Sequence, residues 1–411
     1  MFVYVLNQHG QPLMPCSPRK ARVLLKQNKA KVVNRTPFTI QLLYGSSGYK
    51  QGISLGVDAG TKHVGLSATT DQRVLYEAEV LLRTDIQELL ATRREFRRAR
   101  RNRKTRYRPS RFNNRKRPEG WLPPSIQNKV DAHVKVIGQV AKLLPITSIT
   151  VEVAQFDTQL LKHPEISGVA YQQGEQMGFW NVREYVLFRD QHTCQWCHGK
   201  SGDKVLNVHH RESRKTGGDS PDNLVTLCET CHRDIHQKGL EDRVKRKTAS
   251  LRDATQMTIL RWFVYNGIKA VYPNAKLTYG YITKNTRIRH GLAKSHTVDA
   301  RCISGNPNAS PSEHFFLIRQ VRRQNRQLHK AKIIKGGVRK ANKAPRYLFG
   351  YQLFDKVQYE GQECFVFGRR SNGSFDLRLL DGTKITAGVS YKKLKLIERA
   401  SAMLVQIQKT R

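Results

Sequence analysis

Residues 53–69 read ISLGVDAGTKHVGLSAT, and their pattern decides the fold class. Ile53 to Asp58 is a short apolar run closed by an acid, as in a buried strand, and Ala59-Gly60-Thr61-Lys62 is a turn. His63 to Thr69 alternates well enough for a second, antiparallel strand, and Val74 to Val80 for a third. The result is a meander with Asp58 at its first turn. Downstream, Ile126 to Leu144 is an amphipathic helix, and Ile149 to Val153 is a buried strand that holds one carboxylate, Glu152. A helix is expected over Leu251 to Asn266, a strand over Ile268 to Tyr272 and a helix over His290 to Ile303. The last carries His296 and Asp299, whose i,i+3 spacing puts them on one face. Strands and helices that alternate in this way predict an α/β multi-domain protein.

The chain of 411 residues is too long for one ordinary domain and predicts two or three. Hydrophobic residues make up 38% of it, enough for cores in parts of the chain. Its 73 Lys and Arg outweigh 32 Asp and Glu, leaving +41 at pH 7. A compact state so charged repels itself, and a polyanion is the natural neutraliser, so nucleic acid is the expected partner. No basic amphipathic helix with a Trp/Leu face argues for a membrane surface, and no run of about 18 apolar residues argues for a transmembrane helix. The start, MFVYVLNQHG, lacks the regions of a secretory signal, so a cytoplasmic protein is expected. Four of the seven cysteines fall in two pairs, Cys194/Cys197 and Cys228/Cys231, while Cys16, Cys302 and Cys364 stand alone. That is metal spacing in a reducing compartment and not a disulfide framework.

Charge is concentrated in one segment. From Asp85, a candidate N-cap, a polar helix turns cationic between Arg93 and Arg117. It includes Arg93, Arg94, Arg97, Arg98, Arg100, Arg101, Arg103, Lys104, Arg106 and Arg108. Like charges at i,i+4 destabilise a lone helix, so the segment is expected to order against phosphate. Ahead of the meander, Val3, Val5 and the Val-Leu-Leu run at 23–25 predict a strand and a helix around a small core, with Pro12-Leu13-Met14-Pro15 as a rigid turn. Residues 154–180 read as a connector. Near the end, Cys364 to Phe367 and Phe375 to Leu379, set off by Asn372-Gly373 and Asp381-Gly382, predict a small β-barrel.

Acids in or beside apolar strands are costly unless they are paired or hold metal. Mg²⁺ favours carboxylates together with substrate phosphate oxygens, and two such ions suit phosphodiester cleavage. With the strand order, the pieces GVDAGTKHVGLS (56–67), TVEVA (150–154) and HTVDA (296–300) resemble the RuvC/RNase H-like nuclease fold. The resemblance implies that Asp58, Glu152 and Asp299 are catalytic ligands of two Mg²⁺ ions. It implies that His296 is a further ligand or positions water.

The two cysteine pairs suit one closed tetrahedral structural Zn²⁺ held by Cys194, Cys197, Cys228 and Cys231. The 30 residues between the knuckles exceed a zinc-ribbon loop and carry Val208-His209-His210 and Asp222-Asn223-Leu224. His232 and His236 follow at i,i+4. This set resembles an HNH (ββα-metal) endonuclease. By that resemblance His210 is the general base, and His209 with a histidine of the His232/His236 pair holds one Mg²⁺ or a similar ion. Asn223 orients the base strand or joins the metal shell.

The cationic segment falls between the first and second RuvC-like pieces, and the HNH-like module between the second and third. That order is similar to the IscB family, transposon-encoded RNA-guided nucleases related to CRISPR type II effectors, and Pro12 to Pro15 matches the motif naming that family's first domain. The resemblance implies an N-terminal PLMP domain (1–52), RuvC-like parts at 53–84, 118–165 and 246–305, and a bridge helix at 85–117. It implies an HNH domain with connectors at 166–245 and a C-terminal domain at 306–411 that reads a motif beside the target. It implies a guide noncoding RNA (ωRNA) and double-stranded target DNA as partners of one monomer, HNH cutting the guide-paired strand and RuvC the displaced one. Only about thirty residues part the cationic segment from the Glu152 strand, so a large folded RNA is expected to supply the missing support. Two other readings stay open: a protein-guided resolvase or homing-type nuclease, and a nucleic-acid binder that does not cut.

Overall fold

The computed structural model describes residues 2–46, 48–101, 119–153, 178–179, 181–212, 219–244, 252–322, 329–335 and 338–410. The first of these segments is a four-stranded sheet with one helix. Its elements are β1 (Val3–Leu6), β2 (Pro12–Cys16), α1 (Pro18–Lys26), β3 (Ala30–Asn34) and β4 (Thr39–Leu42), in the order β2-β1-β4-β3. Val3, Val5, Leu13, Ala21 and Ile40 form its core. The PLMP stretch expected to be a rigid turn is strand β2, with Leu13 opposite Val5 and Pro12 opposite Leu6. A strand at the sheet edge needs no N–H on its outer side, so proline is tolerated there. Ser17 caps α1 by accepting from Lys20 N at 3.3 Å, and Pro18 suits the first turn, where no N–H is needed.

The meander follows as β5 (Ser54–Asp58), β6 (His63–Thr69) and β7 (Val74–Leu81), each antiparallel to the next. Side chains alternate between faces along a strand. Leu55, Val57, Val64, Leu66, Ala68, Ala78 and Val80 are fully buried on one face. Gly56, Asp58, His63, Gly65, Glu77 and Glu79 occupy the other. The cationic helix α2 spans Ile86–Arg101. Residues 102–118 lie outside the described residues, and Arg103, Lys104, Arg106 and Arg108 with them. Helix α3 (Pro124–Ala141) leads into β8 (Ser148–Glu152), which runs parallel to β5 with Thr150 opposite Gly56.

Residues 155–258 form a compact unit of their own, apart from the unit made by residues 1–154 and 259–411. It contains α4 (Val182–Arg189), β9 (Leu206–His210), β10 (Leu224–Cys228) and α5 (Glu229–Gln237). Asn181 caps α4 by accepting from Glu184 N at 2.9 Å. Arg189 grips Asp190 at 2.8 and 3.0 Å and donates to the carbonyls of Pro221 and Leu224, while Asp190 accepts from Thr226 N at 2.8 Å. That network fastens α4 to β10. The small core is Val225, Leu227, Ile235 and Val244 with Cys194, Cys228 and Cys231.

Helix α6 (Arg252–Val271) continues past Asn266, where it was expected to stop. Leu260, Val264 and Ile268, four residues apart, are each 0% exposed, so the apolar stripe carries the helix onward. The strand expected at 268–272 is instead β11 (Lys276–Thr278). The helix expected over His290 to Ile303 starts later, as α8 (His296–Ile303), and an unexpected helix, α7 (Gly280–Arg289), precedes it. Gly291, at φ +61°, lies in the break, and Ser295 caps α8 by accepting from Val298 N at 3.1 Å. Then come β12 (His314–Gln320), the hairpin β13 (His329–Ile334) and β14 (Val338–Ala341), β15 (Lys356–Tyr359), β16 (Gln362–Arg369), β17 (Ser374–Arg378), β18 (Lys384–Ser390), β19 (Lys395–Glu398) and β20 (Met403–Lys409).

The central sheet has seven strands in the order β11-β8-β5-β6-β7-β12-β20. Strand β12 lies parallel to β7, and β20 antiparallel to β12. The segment 306–411 is therefore not a separate body, because its first and last strands complete the sheet of the meander. Strands β18-β17-β16-β15-β19 form a second antiparallel sheet around Val357, Cys364, Val366, Phe375 and Leu377. Among the described residues its edge strands do not pair, so it is an open sheet where a closed barrel was expected. Leu317 and Leu404 of the central sheet pack against Phe365 of this one and Leu380, just past β17. Lys356, 2% exposed, donates to Thr36 Oγ1 at 2.9 Å and ties it to the N-terminal sheet.

Candidate active sites

The polar face of the meander carries the first constellation. Asp58 lies opposite Gly65, and Gly65 opposite Glu79, so a line of three positions crosses β5, β6 and β7. Glu152 ends the adjacent parallel strand, two residues past Thr150 and on the same face. Helix α8 lies directly on this face because two glycines leave room for it. A Cβ on Gly56 would stand 1.9 Å from Ala300 O, and one on Gly65 would stand 1.9 Å from His296 O. With the helix this low, His296 Nδ1 comes 2.7 Å from Asp58 Oδ2. That bond to Asp58 raises the His296 pKa, against the effect of burial.

Helix α7 supplies partners that the sequence did not announce. Arg287 Nε pairs with Asp299 Oδ1 at 3.0 Å, and Thr283 Oγ1 donates to Glu152 Oε2. Burial pushes Glu152 up to about 7, and the charges of Asp58 and Asp299 push the same way. Burial and Asp58 likewise raise Asp299, against the pull of Arg287. Glu152 and Asp299 are thus both raised in part by the charge of Asp58, as expected where carboxylates gather. Their oxygens do not close into one tight cluster; each acid is held by its own partner, His296, Thr283 or Arg287. A tight cluster lies beside them: the ligand atoms of His63, Glu79 and His296 are all within 4.8 Å of one another. The His63 and His296 rings stack at 5.1 Å, and His63 Nδ1 is 2.7 Å from Glu79 Oε1. The alternation of β6 and β7 carried the signal for His63 and Glu79, since both fall on the Asp58 face.

The second constellation is built on the β9–β10 hairpin and α5. Adjacent residues on a strand face opposite ways, and so His209 and His210 part company. His209, buried, meets His232 and His236 of α5, with ring centroids 4.8 to 5.1 Å apart and all ligand atoms within 4.8 Å. Burial and the neighbouring His236 lower the His232 pKa, which keeps a nitrogen lone pair available. Both helix histidines join His209, where one of the two was expected. Three imidazoles suit borderline ions such as Zn²⁺, Ni²⁺ or Co²⁺ better than Mg²⁺, which prefers oxygen. The donor set thus turns away from the expected Mg²⁺ here. His210 Nε2 stands 2.9 Å from Asp219 Oδ1. Asn223 is fully buried, and its amide accepts from Glu212 N at 2.8 Å and donates to Glu212 O at 2.9 Å. It staples the loop that leaves β9, which favours an orienting role over a place in a metal shell.

The four cysteines come together as their spacing predicts, with all sulfurs within 4.8 Å of one another. Cys197 Sγ and Cys228 Sγ are 3.9 Å apart, close to the about 3.8 Å expected of two thiolates on one tetrahedral Zn²⁺. The geometry fits a closed zinc site. In α2, Arg93, Arg94, Arg97 and Arg98 share their sixteen-residue helix with only two acids, Glu88 and Glu95. Among the described residues no helix is long and apolar enough to cross a membrane.

Two family models match the chain: RRXRR protein over residues 3–174 and HNH endonuclease over residues 194–238. No curated protein matches it. Among solved structures, Streptococcus thermophilus Cas9 in complex with the GGAA PAM is similar with a TM-score of 0.34 and 13% identity, covering 52% of this chain. The Type II-C Cas9 enzyme from Actinomyces naeslundii is similar with a TM-score of 0.24 and 12% identity over 62% of this chain. The chain spans 30% of the length of the first and 60% of the second.

Proposed function

We propose that this IscB/Cas9-like HNH DNA endonuclease is RNA-guided and cuts the two strands of its target at separate centres. The ββα centre cuts the guide-paired strand. The sheet centre, RNase H-like (RuvC) in kind, cuts the displaced strand. The observation that supports this most is that two clusters of carboxylate and histidine side chains stand on two compact units of one chain carrying +41 of charge. A nuclease guided by its own protein surface has less use for a helix as cationic as α2. The arginines of α2 and of the segment after it hold guide and heteroduplex by their phosphates. The C-terminal sheet reads a short motif beside the target.

At the ββα centre His210 is the general base. With Asp219 accepting from Nε2–H, the lone pair on Nδ1 takes a proton from water. Asn223 holds the loop after His210 and so fixes the direction of the imidazole. His209, His232 and His236 would hold a divalent ion. At the sheet centre Asp58, Glu152 and Asp299 would hold Mg²⁺. Bound there, the metal neutralises charge that develops on the attacking and leaving oxygens of the phosphodiester. His296, anchored by Asp58, orients the attacking water. The four thiolates would hold Zn²⁺, which takes no part in the cut.

The test begins with the protein purified from cells that express its native locus. One discrete, structured RNA with a variable end should survive a high-salt wash; random RNA, or none, overturns guidance. With that RNA bound, Asp58→Ala should leave only the guide-paired strand cut, and His210→Ala only the displaced strand. Loss of both cuts in either variant overturns the division of labour.

A further inference from the structure

An exposed aromatic pair stands beside Glu152 and serves none of these roles. Helix α7 starts directly against that acid: a Cβ on Gly280 would come 3.1 Å from Glu152 Oε1, and Thr283, three residues on, donates to Glu152 Oε2. Tyr279 and Tyr281 flank Gly280 and are 41% and 66% exposed. Their rings are nearly parallel, at 11°, with centroids 6.2 Å apart. Two tyrosines held parallel in water bury little of their own surface, so the core does not explain them. Along the chain, the residues flanking this pair carry charge of one sign. No Asp or Glu occurs from Ala254 to Val298, whereas Lys276, Lys284, Arg287, Arg289 and Lys294 all do.

Parallel aromatic faces among cations match a single nucleic-acid strand, which offers unpaired π-faces at each base and a phosphate between them. A duplex hides those faces in its own stack. We infer that Tyr279 and Tyr281 form a base-stacking platform for the unpaired DNA strand that enters the Asp58–Glu152–Asp299 centre. The platform sets which phosphodiester reaches Glu152. It is tolerant of sequence, because every base has a face to stack. This inference rests on the assignment of the sheet centre to the displaced strand.

The experiment uses the full chain with its bound RNA and a target whose displaced strand carries 2-aminopurine near the cut. Stacking quenches that fluorophore. Tyr279→Ala and Tyr281→Ala should each relieve the quenching. Each should lower kcat/KM for the displaced strand by about five-fold to about a hundred-fold, the loss of one stacked base. The loss should be similar at every salt concentration, because stacking releases no counterions, and the guide-paired cut should be unchanged. Tyr281→Phe should restore both signals. Unchanged quenching and kcat/KM in the Tyr279→Ala/Tyr281→Ala double variant, or equal loss on both strands, overturns the platform. Asp58→Ala separates the two possible failures. If it spares displaced-strand cutting, the assignment of the centre falls. If it abolishes that cutting while the tyrosine variants behave as wild type, the platform alone falls.

Discussion

Replacing Gly65 by alanine tests how the sheet centre is assembled. The new Cβ would lie 1.9 Å from His296 O and 2.6 Å from its carbonyl carbon, where ordinary contact begins at 3.4 Å. The start of α8 must therefore retreat by the difference, about 1.5 Å, since both clashing atoms are backbone and neither can rotate aside. A retreat of that size takes the His296–Asp58 bond from 2.7 Å to about 4 Å and breaks it. Overpacking of this kind costs about 1–3 kcal/mol, and a hydrogen bond to a charged group about 1.5–3 kcal/mol more. Misplacement by about 1 Å at a reacting centre costs about a hundred-fold in rate. Gly65→Ala should thus lower the melting temperature of the unit made by residues 1–154 and 259–411. It should slow displaced-strand cleavage about a hundred-fold and leave the guide-paired cut at its normal rate. Gly56→Ala is the control: it clashes with Ala300 O at 1.9 Å and Ser304 N at 2.5 Å, at the far end of the same helix. It should cost similar stability with a smaller loss of rate. Strand-specific cleavage with labelled DNA and a thermal melt read both. Wild-type stability and rate in Gly65→Ala would refute the glycine floor, and equal loss on both strands would refute its local action.

The inserted unit should depend on its thiolates, because Cys194, Cys228 and Cys231 are part of its buried core. Cys194→Ser, or a strong zinc chelator, should open residues 181–244 to hydrogen exchange and abolish the guide-paired cut while sparing the displaced strand; structural Zn²⁺ contributes about 10–16 kcal/mol in small domains. Displaced-strand cleavage should also follow the carboxyl of Glu152, which burial and its acidic neighbours hold near pH 7. A raised acid pKa means that the folded, metal-free protein keeps this proton as pH rises from the unfolded value toward about 7, so the group favours folding below that window and ceases to do so through it. The active form is the deprotonated one, so the rate should fall as pH drops through about 7, and more Mg²⁺ should move the midpoint down. A flat profile between pH 6 and pH 8, roughly one unit either side, would remove Glu152 from the role assigned to it.

Features that depend on residue type and spacing were readable in advance, and features that depend on packing were not. The meander and the Glu152 strand follow from alternation and stand within a few residues of where the sequence predicts them, the gathering of the four cysteines follows from their Cys-x-x-Cys spacing, and the ββα order comes only with the resemblance. Helix α7 was missed because its apolar residues face no single side; Tyr281, Ile282 and Ile288 are all exposed. With it went Thr283 and Arg287, which hold Glu152 and Asp299. Asp219 was missed because nothing in the sequence places it beside His210, nine residues before it. The return of Met403–Lys409 to the central sheet was equally hidden, since a strand does not announce its partner. Conversely, Pro12 and Pro15 argued for a turn only as long as β2 was not known to lie at an edge.

The strand order explains why one sheet accommodates so much inserted chain without losing its site. Strands β5, β6 and β7 are joined by turns of four residues each, 59–62 and 70–73, and the line Asp58–Gly65–Glu79 depends on that tight register. An insertion in either turn would free the register, and a slip of one residue would turn Asp58 to the buried face. The other connections differ. Strand β8 lies parallel to β5, and β11 parallel to β8, and parallel neighbours are joined by a crossover and never by a hairpin. Lengthening a crossover costs little, about 0.6 kcal/mol of closure entropy for each doubling. The cationic helix α2 lies in the long connection from β7 to β8, and the ββα unit in the one between β8 and β11. Ligand sites of such sheets lie beyond the carboxyl ends of their strands, where Asp58 and Glu152 stand. In sequence, the ββα unit therefore follows the strand that ends at Glu152. Length was added where the sheet tolerates it.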